Sequence, residues 1–108
     1  MKELSVTDPH FHNTMQAYEA LYGVIDPELF VNIVDLGLVY GIEFSGKTIE
    51  VQMTLSTPAC PMGEAITNGV RNAMELAFPE HSVHIDLTFD PPWSYEMMTD
   101  EGRRQLSL

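Results

Sequence analysis

Four successive stretches between Leu38 and Phe89 have hydrophobic periods of two, two, 3.6 and two, and this succession limits the fold more than any other feature. Leu38, Tyr40, Ile42 and Phe44 alternate with Val39, Gly41 and Glu43; after a turn at Ser45 and Gly46, Ile49, Val51, Met53 and Leu55 alternate with Thr48, Glu50, Gln52 and Thr54. A period of two is that of strands, so the pair predicts a hairpin with one apolar and one wetter face. Met62, Ala65, Ile66, Gly69, Val70, Ala73, Met74 and Ala77 then recur at helical spacing against Glu64, Thr67, Asn68, Arg71, Asn72 and Glu75, until Pro79. This is an amphipathic helix, and its methionines suit core packing. Gly63 and Gly69 each weaken it by up to about 1 kcal/mol relative to alanine, so close packing against the sheet is the expected compensation. From His81 to Phe89 the alternation returns. Val83, Ile85, Leu87 and Phe89 face inward as a third strand, and His84 falls on the polar face.

Upstream, Asn13 and Gln16 resemble a capping box, and Met15, Tyr18, Leu21, Tyr22 and Ile25 give a first helix that ends near Gly23. Residues 25–37 mix turn formers with buried-type residues and predict a compact, packed loop carrying Asp26, Glu28 and Asp35 towards one end of the sheet. Turn hydrogen bonding and a functional site both account for these acids. Residues 1–12 show no periodicity and read as a flexible tail in which His10 and His12 are tail residues before they are ligands. Residues 13–108 form one domain. Asp90, Pro91, Pro92 and Trp93 cannot extend the ladder, and Thr99 can cap a short tail helix with Arg103 and Arg104 in its last turn. The whole reads as α+β: a two-layer sandwich of a three-stranded sheet with two main helices on one face, in the order α-β-β-α-β, plus a C-terminal loop and short helix. No glycine loop suited to nucleotide phosphates is visible.

The 108 residues suffice for a single modest core. No apolar run approaches the roughly 20 residues of a membrane helix, and no basic-then-apolar leader opens the sequence, so a soluble cytoplasmic chain is expected. A net charge of −11, from 16 acidic against 5 basic residues, disfavours nucleic acid and anionic lipid as partners. Proteins or a metal-bearing species fit better, although plain solubility is the weightier account of the acidity.

The single thiol, Cys60, follows Ser56, Thr57 and Pro58 and precedes Pro61, a residue well suited to a first helical position. The thiol is thus expected at a helix cap, facing unpaired backbone N–H groups that favour thiolate. A small buried residue filling a gap is the alternative. One cysteine cannot by itself hold a metal cluster. A thiol enzyme would need a base close by; no histidine lies in the loop, leaving only His81 and His84, so turnover is not expected. Trp93 reads either as a docking anchor for a partner or as a cover over the sheet.

Three segments, 25–40, 54–66 and 90–106, taken together resemble the PaaD-like and SufT-like family of metal-sulfur cluster biosynthetic proteins (domain of unknown function 59). The resemblance implies an iron-sulfur cluster assembly-like fold and a role in maturing client iron-sulfur proteins. It places the functional pocket at Asp26, Glu28, Leu29, Ser56, Thr57, Pro58 and Cys60. It further implies transient iron or cluster binding with Cys60, Asp26 and Glu28 as ligands, the others coming from a second subunit, as in a homodimer, or from a client. Assembly scaffolds and client apoproteins are the implied partners. The alternatives are a metal-independent adaptor and a component of an aromatic-ring oxygenase system. Ser56 stands where the family usually has threonine, Ala59 where it often has glycine, and Tyr95 where its tail often has proline.

Overall fold

The structure, a computed structural model, describes residues 11–56 and 63–106. Its elements are α1 (Phe11–Leu21), α2 (Ile33–Leu36), β1 (Val39–Ser45), β2 (Thr48–Met53), α3 (Gly63–Ala77), β3 (Ser82–Leu87), a 3-10 turn (Tyr95–Met97) and α4 (Asp100–Gln105). The sheet order is β1-β2-β3, antiparallel between β1 and β2 and parallel between β2 and β3. Antiparallel strands close through the short turn at Gly46, whereas the parallel pair needs a crossover, and α3 supplies it. Ile49, Val51 and Met53 of the central strand are fully buried under α1 and α3, while Glu43, Glu50 and Gln52 face outward. The two-layer α+β expectation therefore holds.

Several details depart from the sequence reading. Helix α1 begins at Phe11, ahead of the expected cap at Asn13, so His12 belongs to the helix. Its buried face is Thr14, Ala17, Tyr18 and Leu21, while Met15 and Tyr22 are exposed, as is Ile25 beyond the helix. Of the expected stripe, Tyr18 and Leu21 therefore pack, whereas Met15, Tyr22 and Ile25 do not. Ala17 and Thr14 are the small residues of this buried face. Burial pushes the Tyr18 phenol upward.

In β1 the pairing slips between Val39, opposite Met53, and Gly41, opposite Gln52. This bulge adds Tyr40 to the strand and reverses the alternation there. Val39 and Ile42 turn inward, and Tyr40 stays outside, donating its hydroxyl to the Pro91 carbonyl at 2.7 Å. Thr54, expected on the wet side, is fully buried, and its N–H bonds the Leu38 carbonyl at 2.8 Å. On α3, Gly63 meets the Leu55 side chain at the end of the hairpin, as the close-packing argument requires, whereas Gly69 lies against Val24. Leu87 pairs with the buried Met53 and shares its inner face, but at the sheet margin it and Phe89 stay partly exposed.

The loop expected over 25–37 contains α2. Asn32 caps it by accepting from the Asp35 N–H at 2.8 Å, and Gly37 ends it at φ 79°. The C-terminal segment docks here. Asp35 is buried and accepts from Asn32 Nδ2 at 2.7 Å and from Thr99 Oγ1 at 2.8 Å, and its carbonyl accepts the Thr99 N–H at 2.9 Å. Thr99 caps α4 as expected, accepting from the Gly102 N–H at 3.0 Å. A Cβ on Gly102 would stand 2.6 Å from the Asp35 carbonyl, so only glycine allows this approach.

Candidate functional site

The acidic turn is built by closure of the chain on itself. Asp26 N–H donates to the Val31 carbonyl at 3.0 Å, Phe30 N–H donates to the Asp26 carbonyl at 2.8 Å, and Ile25 bridges Asn32. Within this closure the Asp26 side chain, 1% exposed, turns back on its own backbone. Its Oδ1 accepts from the N–H groups of Glu28 at 2.8 Å and Leu29 at 3.1 Å. That is the local turn bonding to which Asp is suited. Its Oδ2 is buried with no hydrogen-bond partner among the described residues. An unpaired buried carboxylate oxygen is costly, of the order of 1–3 kcal/mol or more, which marks this atom as unusual. Glu28 beside it is exposed, and Leu29 is half-buried against the core. Among the described residues neither carboxylate forms an ion pair.

A ladder of backbone bonds carries this turn to the end of the hairpin. The Val24 carbonyl accepts from Ile33 N–H at 3.0 Å, the Ile33 carbonyl from Leu38 N–H at 3.0 Å, and the Leu38 carbonyl from Thr54 N–H at 2.8 Å. Thr54 is two residues before Ser56, which is half-buried. Gly63 resumes the described chain against Leu55. The acidic turn and both flanks of 57–62 therefore occupy the same end of the molecule, beyond the C-terminal ends of β2 and β3. Open α/β arrangements place ligand sites at such ends. Of the pocket named in the sequence analysis, Asp26, Glu28, Leu29 and Ser56 are described and placed here; Thr57, Pro58 and Cys60 lie outside the described residues. Among the described residues no group of three His, Cys, Asp or Glu side chains is arranged to hold a metal ion.

Trp93 is half-buried against the core, and its indole N–H is committed to the Leu36 carbonyl at 2.7 Å, with Tyr95 edge-on at 5.0 Å. Its indole N–H thus meets α2, not a strand edge. The tail and the outer sheet face also border an open groove of about 660 Å³ lined by Tyr40, Gln52, Asp90, Glu96 and Met97. It lies on the face away from α1 and α3. Burial raises the Tyr40 phenol there, with a hydrogen bond to Thr54 pulling the other way.

Sequence reasoning missed Phe30. It lies at φ 60° and is 79% exposed, in the left-handed region that a bulky residue rarely adopts. A glycine or asparagine there would have announced the turn; phenylalanine conceals it. The left-handed conformation costs roughly 1–2 kcal/mol. Because little of the ring is buried, Phe30→Asn is expected to leave stability unchanged or raise it by up to about 1 kcal/mol, against the roughly 3–5 kcal/mol lost on truncating a buried phenylalanine. Chemical denaturation of the two proteins checks this, and a loss above 2 kcal/mol would mean that the ring packs more than its exposure implies.

Residues 14–87 match the family model described as "Iron-sulfur cluster assembly protein". The chain belongs to this family. It is 40% identical over 86 residues to an Fe-S protein maturation auxiliary factor of Porphyromonas gingivalis, covering 79% of this chain and 82% of the relative. To the Fe-S protein maturation auxiliary factor SufT of Staphylococcus aureus it is 36% identical over 86 residues, covering 79% and 98%. Among solved structures it is similar to a domain of unknown function DUF59 from Bacillus anthracis, with a TM-score of 0.82 and 33% identity over 87% of this chain and 91% of that one. The family match spans the acidic turn, the hairpin, α3 and β3, and stops where the tail begins. No helix among the described residues is long and apolar enough to cross a membrane.

Proposed function

We propose that this chain is a cytoplasmic maturation factor for iron-sulfur proteins that holds iron or a cluster transiently as cargo between an assembly scaffold and a client apoprotein. Cys60 supplies the thiolate, a soft ligand for iron, and Asp26 supplies an oxygen. The observation that carries this reading is the buried Oδ2 of Asp26, which has no partner among the described residues and lies at the end of the sheet where Ser56 follows β2. If the resemblance holds and Asp26 and Glu28 share a pocket with Cys60, two carboxylates would repel its thiolate unless a cation offset them, which favours a visiting metal. With one thiolate in the chain, the remaining ligands come from the partner, and such open coordination suits release.

The alternative of a thiol enzyme gains no support from His81 and His84, the two histidines the sequence offers as bases. His81 precedes β3, whereas Ser56 follows β2, and the two strand ends are separated by the length of the sheet, about 20 Å at roughly 3.3 Å per residue. His84 is exposed on the outer face. The reading is tested by anaerobic reconstitution with ferrous iron and sulfide, followed by desalting and visible absorbance, for the wild type and Cys60→Ser. Charge-transfer absorbance is expected in the wild type and a loss of at least tenfold in the variant. Equal absorbance in both, or none in either, would leave a metal-independent adaptor as the better account.

A further inference from the structure

We propose that β3 is a self-complementary edge through which two copies of this chain join into one continuous six-stranded sheet. The parity of the ladder sets the geometry. Ser82 N–H donates to the Lys47 carbonyl at 2.7 Å and Thr88 N–H to the Met53 carbonyl at 2.9 Å, so the even-numbered residues of β3 address β2. Val83, Ile85 and Leu87 consequently direct both backbone groups away from the sheet. Among the described residues no backbone group pairs with them, and the one side chain that reaches this edge is Arg71, which donates to the Val83 carbonyl at 2.9 Å. A carbonyl has a second lone pair, so this contact does not close the edge.

The sequence of the strand, Val-His-Ile-Asp-Leu over residues 83–87, is complementary to its own reverse, apolar against apolar and imidazole against carboxylate. In an antiparallel pairing with Ile85 on the two-fold axis, Val83 faces Leu87 of the second copy, Ile85 faces Ile85, and His84 faces Asp86. Each odd-numbered pair is then of the closely hydrogen-bonded kind, exchanging both backbone bonds, about six in all. On the outer face each imidazole N–H meets a carboxylate, twice by symmetry. On the inner face the pairing covers side chains that the monomer leaves uncovered. Val83 and Ile85 are half-buried and Leu87 is 41% exposed, although their β2 neighbours Ile49, Val51 and Met53 are at 0%. A long, unprotected edge with apolar residues normally invites association, and here charge and side-chain size both favour this register. Two protomers of net charge −11 repel, but beyond about 8 Å that repulsion is screened at physiological salt.

Antiparallel pairing puts the two acidic turns at opposite ends of the joint sheet. The second copy therefore supplies no ligand to the first one's cargo, and the dimer and the cargo reading succeed or fail separately. Sedimentation velocity of the full chain from about 1 to 500 µM at 0.15 M salt, the ionic strength of that screening, is expected to show a monomer–dimer equilibrium. His84→Asp, which sets carboxylate against carboxylate, is expected to weaken it about tenfold. The double change His84→Asp with Asp86→His restores the pairing and the affinity. Ile85→Pro, which removes an outward N–H that β2 does not use, is expected to give a monomer with an unchanged circular dichroism spectrum. A monomer at every concentration, or a dimer in which His84→Asp alone and the double change behave alike, overturns the proposal. If Ile85→Pro fails to fold, the charge exchange still decides.

Discussion

Gly37→Val is expected to cost about 3 kcal/mol and to release the C-terminal segment from the domain. Two independent penalties act at this position. The backbone sits at φ 79°, where an L-residue with a side chain loses roughly 1–2 kcal/mol, and more when it is β-branched. A Cβ there would also run into the carbonyl of Met97, which is backbone and cannot rotate away. Relief requires the 3-10 turn to move, and with it the Tyr40 bonds to Pro91 and Met97 and the Thr99 bonds to Asp35. For a domain of this size about 3 kcal/mol corresponds to a fall in Tm of roughly 12–18 °C. The only tryptophan reports the local event, because Trp93 is held by its N–H to Leu36 and packed against the core. Its emission is expected to shift to the red in Gly37→Val below the midpoint of unfolding. Unaltered emission with lowered Tm would place the strain in α2 and leave the tail seated.

The same region shows what a sequence of this kind discloses. The hairpin, the amphipathic α3, the Thr99 cap and the basic last turn of α4 each rest on local chemistry: a period, a capping hydroxyl, a charge near a helix end. Those were legible. The inward face of α1 was not, because the selection between Met15 with Tyr22 and Thr14 with Ala17 is made by how closely α3 can approach. Tyr40 points outward because one bulge reverses the alternation, and nothing in the alternation itself marks the extra residue. Helix α2 spans only Ile33–Leu36, too short for a period to register, and is held by Asn32, Gly37 and the distant Thr99. For the site, the acids of the turn were nameable beforehand. That Asp26 would be buried with one oxygen engaged and the other unpaired follows from the closure of 26–31, a tertiary result.

Asp26 therefore separates a structural role from a cargo-binding one, through two substitutions with opposite effects on stability. Asp26→Ala removes the acceptor of two backbone N–H groups and is expected to cost about 2–4 kcal/mol, since hydrogen bonds to a charged group contribute roughly 1.5–3 kcal/mol each, offset by no longer burying the unpaired oxygen. Asp26→Asn keeps Oδ1 as acceptor and replaces a buried charge by a neutral amide. Its stability is expected to equal or exceed that of the wild type by up to about 2 kcal/mol, because an unpaired charge costs more to bury than an amide. If Oδ2 is kept unpaired for iron, the stable asparagine protein should retain less iron after reconstitution, by about tenfold, because the amide nitrogen that replaces Oδ2 is a donor and offers no lone pair to a metal. A variant that is more stable and less competent is the signature of a group selected for function at the expense of the fold. Chemical denaturation alongside iron content per chain distinguishes the cases. Full iron retention in Asp26→Asn would confine Asp26 to shaping the turn and shift the oxygen ligand to the exposed Glu28 or to the client.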